Sequence, residues 1–182
     1  LAVGARFEDS NARGIDGDQT NYAAPESGAA YVFTRTGGAW SQEAYVKASN
    51  TGTRDSFGVC VALSADGNTL AVGASGEDGA ATTINGNQAD ATAPDSGAVY
   101  LFERSGATWS QEAYVKASNS SEDVSFGSSL ALSADGNTLV AGATGEASAA
   151  TGISGDQGDQ SAHAAGAVYV FKRAAAVWSQ QT

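Results

Sequence analysis

The sequence predicts an all-β protein made of tandem four-stranded antiparallel sheets, and three observations lead there. Trp40, Trp109 and Trp178 recur at a spacing of 69, as do Leu1, Leu70 and Leu139, which open LAVGA, LAVGA and LVAGA. Residues 1–69 align with 70–138 without a gap, with 42 of the 69 positions identical. The unit is therefore a duplicated one, and each copy is expected to fold as its neighbour does. Within a copy, apolar residues alternate with period two between Gly, Asp and Ser turn clusters, and no helical period is seen.

The elements follow in order from Ser56. A first strand over Gly58–Ser64 sets Val59, Val61 and Leu63 against Cys60 and Ala62. The Asp66-Gly67 pair then predicts a tight hairpin turn with positive φ angles. The second strand, Thr69–Ala74, places Leu70 and Val72 on one face and Ala71 and Gly73 on the other, a small face that lets another sheet come close. A polar loop runs from Ser75 to Ser96. The third strand, Gly97–Glu103, is apolar on both faces, with Val99 and Leu101 opposite Tyr100 and Phe102, which requires burial on both sides. A Ser105-Gly106 turn leads to a fourth strand, Trp109–Ala117. Its Ser110, Gln111, Glu112 and Lys116 suit a solvent-facing edge.

A four-stranded meander of this kind is the layout of a β-propeller blade. One such sheet cannot cover both of its apolar faces alone, so neighbouring copies must stack. Each face would bury on the order of several hundred Å², worth roughly 25 cal/mol per Å². The expected organisation is a partial blade over 1–55 lacking its first strand, a complete blade over 56–124, and a partial blade over 125–182 with its fourth strand cut short. Propellers take about four to eight blades, so the array is open or incomplete as given. Further repeats or inter-chain stacking are expected to cover its ends. Leu1 already lies within a strand pattern, which suggests a fragment or a processed piece.

The strings SFGVCVALSADGNTLAVGAS at Ser56–Ser75 and SFGSSLALSADGNTLVAGAT at Ser125–Thr144 resemble FG-GAP repeats, the blades of integrin α-subunit-like propellers. Phe57-Gly58 and Phe126-Gly127 match the FG signature, and Gly73-Ala74 and Gly142-Ala143 match the GA. The final Pro of that motif is replaced by Arg6, Ser75 and Thr144. The resemblance implies an extracellular propeller module. It does not bring the family's calcium loop, of the form DxDxDGxxD, because only Ala65-Asp66-Gly67-Asn68 and Ala134-Asp135-Gly136-Asn137 stand in its place.

Carboxylates gather instead in the long loop after GA, where calcium is the expected ligand if any cation binds. The candidates are Glu8, Asp9, Asp16 and Asp18 in the first copy, Glu77, Asp78, Asn85, Asn87 and Asp90 in the second, and Glu146, Asp156 and Asp159 in the third. Calcium takes six to eight oxygens from flexible, Gly-containing loops. The opposing reading is that Asp, Asn and Gly are ordinary turn residues. Asn119 heads an Asn-Ser-Ser glycosylation sequon. The repeated Trp residues, with Tyr45 and Tyr114, suit blade packing more than sugar stacking.

Net charge is −11 and the pI about 4.2, which argues against nucleic-acid partners. No apolar run is long enough for a membrane span. A lone Cys60, matched by Ser129, excludes an internal disulfide. The single histidine, His163, stands where the other copies have Pro25 and Pro94, and no phosphate cradle or nucleophile elbow is present. The expected role is non-enzymatic: an extracellular structural or adhesive module that associates with further repeats or identical chains. A propeller that binds a protein or glycan ligand, or one accessory to a larger extracellular enzyme, is the alternative.

Overall fold

The computed structural model describes all 182 residues and contains eleven strands and no helix. They are β1 (Ala2–Ala5), β2 (Ala29–Thr36), β3 (Ala39–Val46), β4 (Phe57–Leu63), β5 (Thr69–Ala74), β6 (Ala98–Ser105), β7 (Thr108–Val115), β8 (Phe126–Leu132), β9 (Thr138–Ala143), β10 (Ala167–Ala174) and β11 (Val177–Gln180). They form three antiparallel meanders, β1-β2-β3, β4-β5-β6-β7 and β8-β9-β10-β11. The first sheet has three strands, and the last strand of the third has four residues against eight in β3 and β7.

The sheets stack blade on blade, and both faces of the middle one are covered. Its front face, with Phe57, Leu70, Val72, Tyr100, Phe102 and Trp109, packs on Ala30, Val32, Ala44 and Val46 of the first blade. Its back face, with Ala71, Val99, Leu101, Ala113 and Val115, packs on Phe126, Leu139, Ala141, Tyr169, Phe171 and Trp178 of the third. Tyr100, Leu101 and Phe102 are all wholly buried though they alternate in direction. That is the double-sided burial expected for the third strand. Each large apolar side chain closed into such a seam contributes roughly 1.5–3 kcal/mol.

The FG dipeptide sets the spacing. Phe57 meets Tyr100 and Phe102 edge-on, with ring centroids 5.3 and 6.2 Å apart. Phe126 repeats this against Tyr169 and Phe171. Gly58 and Gly127 follow in the left-handed region at φ 85° and 82°. A Cβ on Gly58 would lie 2.2 Å from the Ala29 carbonyl oxygen, and one on Gly127 2.5 Å from that of Ala98. Backbone meets backbone across the seam, and the parallel bridges Gly28↔Phe57 and Gly97↔Phe126 tie neighbouring blades there.

Two expectations need correction. The Asp66-Gly67 hairpin turn does not have positive φ at both residues. Ser64 N–H donates to the Thr69 carbonyl across a four-residue loop, and of the pair only Gly67 has positive φ. The Asp66 carboxylate accepts from the Ser64 hydroxyl and the Asn68 N–H instead. The fourth strand is solvent-facing only in its first half. Ala113, Tyr114 and Val115 are buried, and so is Lys116 just beyond them.

Candidate functional site

Strand irregularity turns charged side chains into the seams. β2 and β3 slip register between Val32 and Phe33, and β6 and β7 slip between Leu101 and Phe102, leaving Glu43 and Glu112 as the extra residue of a bulge. A bulge re-aims the side chain it carries, here toward the next blade. Arg104 Nη2 donates to Glu43 Oε2 at 2.9 Å, and Trp109 Nε1 donates to Glu43 Oε1 at 3.1 Å. Arg173 Nη1 reaches both oxygens of Glu112 at 3.0 and 2.9 Å. An Arg–Glu latch thus closes the outer end of each seam.

A second polar knot lies at the mouth of the long loops. Lys116 Nζ donates to Glu77 Oε2 at 2.9 Å and to Ser96 Oγ at 2.7 Å. Glu77 Oε1 accepts from Tyr114 OH at 2.8 Å and from Asn50 Nδ2 at 2.9 Å. One carboxylate therefore joins the loop, the outer strand and the linker from the preceding blade. Lys47, Glu8 and Ser27 repeat the core of this knot in the first blade. Burial pulls the ammonium groups of Lys47 and Lys116 below their ordinary pKa, against the pull of Glu8 and Glu77. Burial likewise pushes up the hydroxyls of Tyr100 and Tyr114.

Asp55 is the one buried carboxylate with no counterpart in the repeat, since Val124 holds its register position. It is 4% exposed and accepts from Gly52 N–H at 2.7 Å. Burial drives its pKa from 3.8 to about 7, with Glu77 and Asp78 adding to the rise while Gly52 N–H and Lys47 oppose it. It borders a cleft of about 380 Å³ between the first two blades, together with Arg13, Asn50, Glu77, Asp78 and Asp90.

The loop acids expected to hold calcium serve the loops themselves. Asp9 and Asp78 accept from the N–H of Glu26 and Asp95, and Asp16 and Asn85 accept from the N–H of Tyr45 and Tyr114. Asp18, Asn87, Asp90, Asp156 and Asp159 each accept from the N–H two residues on. Glu8 and Glu77 face lysines, and Glu146 accepts from Asn119 and from Ser148 N–H. Asp16, Asn85 and Ser154 share one register position with φ near 55°, as do Glu26, Asp95 and Ala164. Left-handed backbone and turn bonding explain much of this polar composition. No three His, Cys, Asp or Glu side chains gather into a metal-holding group.

Asn119 is also engaged. Its Nδ2, the atom a glycan would occupy, donates to Glu146 and to the Gln157 carbonyl, and its Oδ1 accepts from Tyr169 OH. Tyr45, Tyr114, Trp109 and Trp178 are buried, and Trp40 alone of the proposed stacking residues is exposed. Cys60 donates to the Gly127 carbonyl across the seam, and burial lifts its pKa to about 11. His163 is exposed on a loop. Sequence reasoning missed Asp55, Glu43 and Arg104. The Asp55/Val124 mismatch was the available signal for the first.

The outward faces of the end blades repeat the inner ones without a cover. Val168, in register with the wholly buried Val99, is 63% exposed, and it borders a groove of about 690 Å³ with Gly142, Ile153, Gly166 and Val170. On the first blade Leu1, Val3 and Trp40 are exposed where Leu70, Val72 and Trp109 are buried.

Residues 40–102, from the outer strand of the first blade to the third strand of the second, match the model of a family described as FG-GAP repeat. No curated protein matches the chain.

Proposed function

We propose, from the match of residues 40–102 to the FG-GAP repeat model, that the chain is a non-enzymatic structural or adhesive module that works outside the cell. Its blades carry no chemistry of their own and act by stacking on further blades. The observation that carries this reading is the contrast between Val99, fully covered by the next blade, and Val168, the same position left open. The acidic surface, at net charge −11, suits a module that must stay soluble while presenting such a face. No helix is long and apolar enough to cross a membrane.

The test is sedimentation of the chain across a wide concentration range. The expected result is a mass that rises with concentration, and a Val168→Asp variant whose mass does not. Val168 is exposed, so the substitution leaves the fold intact. A monomer at every concentration would contradict the reading.

A further inference from the structure

We propose that the cleft between the first two blades is a binding site for an aliphatic polyamine, whose ammonium groups meet Asp55, Asp78 and Asp90. Blade stacking on further chains plays no part in it, because this seam is closed within the chain itself. The cleft, about 380 Å³, lies between the linker that follows the first blade and the long loop of the second. That volume falls in the range of small-molecule sites.

Each of the three carboxylates has one oxygen left over. Asp55 is 4% exposed, and its Oδ2 accepts from Gly52 N–H while nothing donates to Oδ1. No cation pairs with it. Oδ1 is not among the unpartnered polar atoms sealed from solvent, so its opening is onto the cleft that Asp55 lines. Asp78 and Asp90, both half-buried, use Oδ1 on Asp95 N–H and on Thr92, and keep Oδ2 free. Glu77, on the same wall, is fully engaged by Lys116, Tyr114, Asn50 and Gly79 N–H. A buried carboxylate without a counter-charge is unfavourable, and a cationic ligand supplies what Asp55 lacks.

The chain itself shows what its loop acids hold. Glu8 with Ser27 takes the Lys47 ammonium, and Glu77 with Ser96 takes that of Lys116. The three free oxygens belong to separate carboxylates that do not converge into one metal-holding group. Ammonium groups spaced along a flexible chain can answer them one at a time, each with three donors. The only cationic side chain on the cleft wall is Arg13, which is exposed and forms no ion pair.

The second seam provides the contrast. Val124 and Ala147 stand in register with Asp55 and Asp78. Asp159, in register with Asp90, uses both oxygens, on Ala149 and Ser161 N–H. The free carboxylate oxygens therefore belong to one seam and not to the blade architecture.

Calorimetric titration of the full chain with spermidine at pH 8 tests the site, since Asp55 is then ionised and alkylammonium groups are charged. The expected result is one site per chain, weakened about tenfold by Asp55→Asn, as the loss of one charge-assisted hydrogen bond implies. Asp78→Asn should weaken it likewise, and as a change at a half-buried residue it keeps the test open should Asp55→Asn melt early. Asp159→Asn should leave binding unmoved. n-Butylamine at equal ionic strength should bind about tenfold more weakly than spermidine, or less. Equal weakening by Asp55→Asn and Asp159→Asn would overturn the proposal, because it would mean general attraction to a net charge of −11. A monoamine that binds as tightly, or calcium chloride that displaces spermidine at equal ionic strength, would overturn it too. No spermidine binding at all would overturn it and leave the sedimentation test of blade stacking untouched.

Discussion

Replacing Asp55 with valine should stabilise the protein at neutral pH and leave it unimproved in acid. The folded state binds the Asp55 proton more tightly than the unfolded chain does, because its pKa rises from 3.8 to about 7 on burial. A group held this way costs nothing below about pH 4, where it is protonated in both states. Its penalty grows as pH rises from about 4 to about 7 and is complete above that. A shift of about three units at 1.36 kcal/mol each gives a ceiling of roughly 4 kcal/mol. Asp55→Val removes this penalty and adds apolar surface of the kind Val124 buries, but leaves Gly52 N–H without its acceptor, a loss of about 1–3 kcal/mol. The net expectation is about 1–3 kcal/mol of added stability at pH 8 and none, or a small loss, at pH 4. Urea denaturation of both proteins from pH 4 to pH 8 measures the gap. Two parallel curves would refute the argument, since they would mean that the carboxylate titrates alike folded and unfolded.

Five further outcomes follow from the seams and turns. Gly58→Ala should cost at least about 2 kcal/mol, from left-handed backbone and from a methyl set against the Ala29 carbonyl. Gly106→Ala, with φ 64° but open space around it, should cost only about 1 kcal/mol, and thermal melts of both variants measure the difference. Lys116→Met strands the buried Glu77 and should cost about 3–5 kcal/mol, most of which a Glu77→Leu/Lys116→Met pair recovers. Cys60→Ser should stay within about 1 kcal/mol of the parent, since Ser129 fills the same register position, and alkylation of the parent thiol at pH 8 should be slow. Ala175→Gly with Ala176→Gly should raise stability by about 1 kcal/mol, because both alanines sit at positive φ where the first blade has Gly37-Gly38.

The fold was legible because the period-two pattern and the turn residues recur in register, and stacking follows once Tyr100 and Phe102 oppose Val99 and Leu101 on one strand. The fates of the charged residues were not legible. Lys116 follows a strand that reads as polar, and Glu77 and Ser96 of its own blade's long loop enclose it, as Glu8 and Ser27 enclose Lys47. Glu112 looks like any surface glutamate until a bulge turns it toward Arg173. The loop acids read two ways for another reason. A calcium site and a left-handed, self-bonded loop draw on the same Asp, Asn and Gly residues, and composition does not separate them. In the structure these carboxylates each accept from a backbone N–H or face a lysine.

Near-identical copies serve as each other's controls. A residue kept at 69-residue spacing, such as Phe57 with Phe126 or Glu77 with Glu146, answers to the architecture of a blade. A departure at a buried or seam position answers to something local. Asp55 against Val124 makes the first seam acidic where the second is greasy.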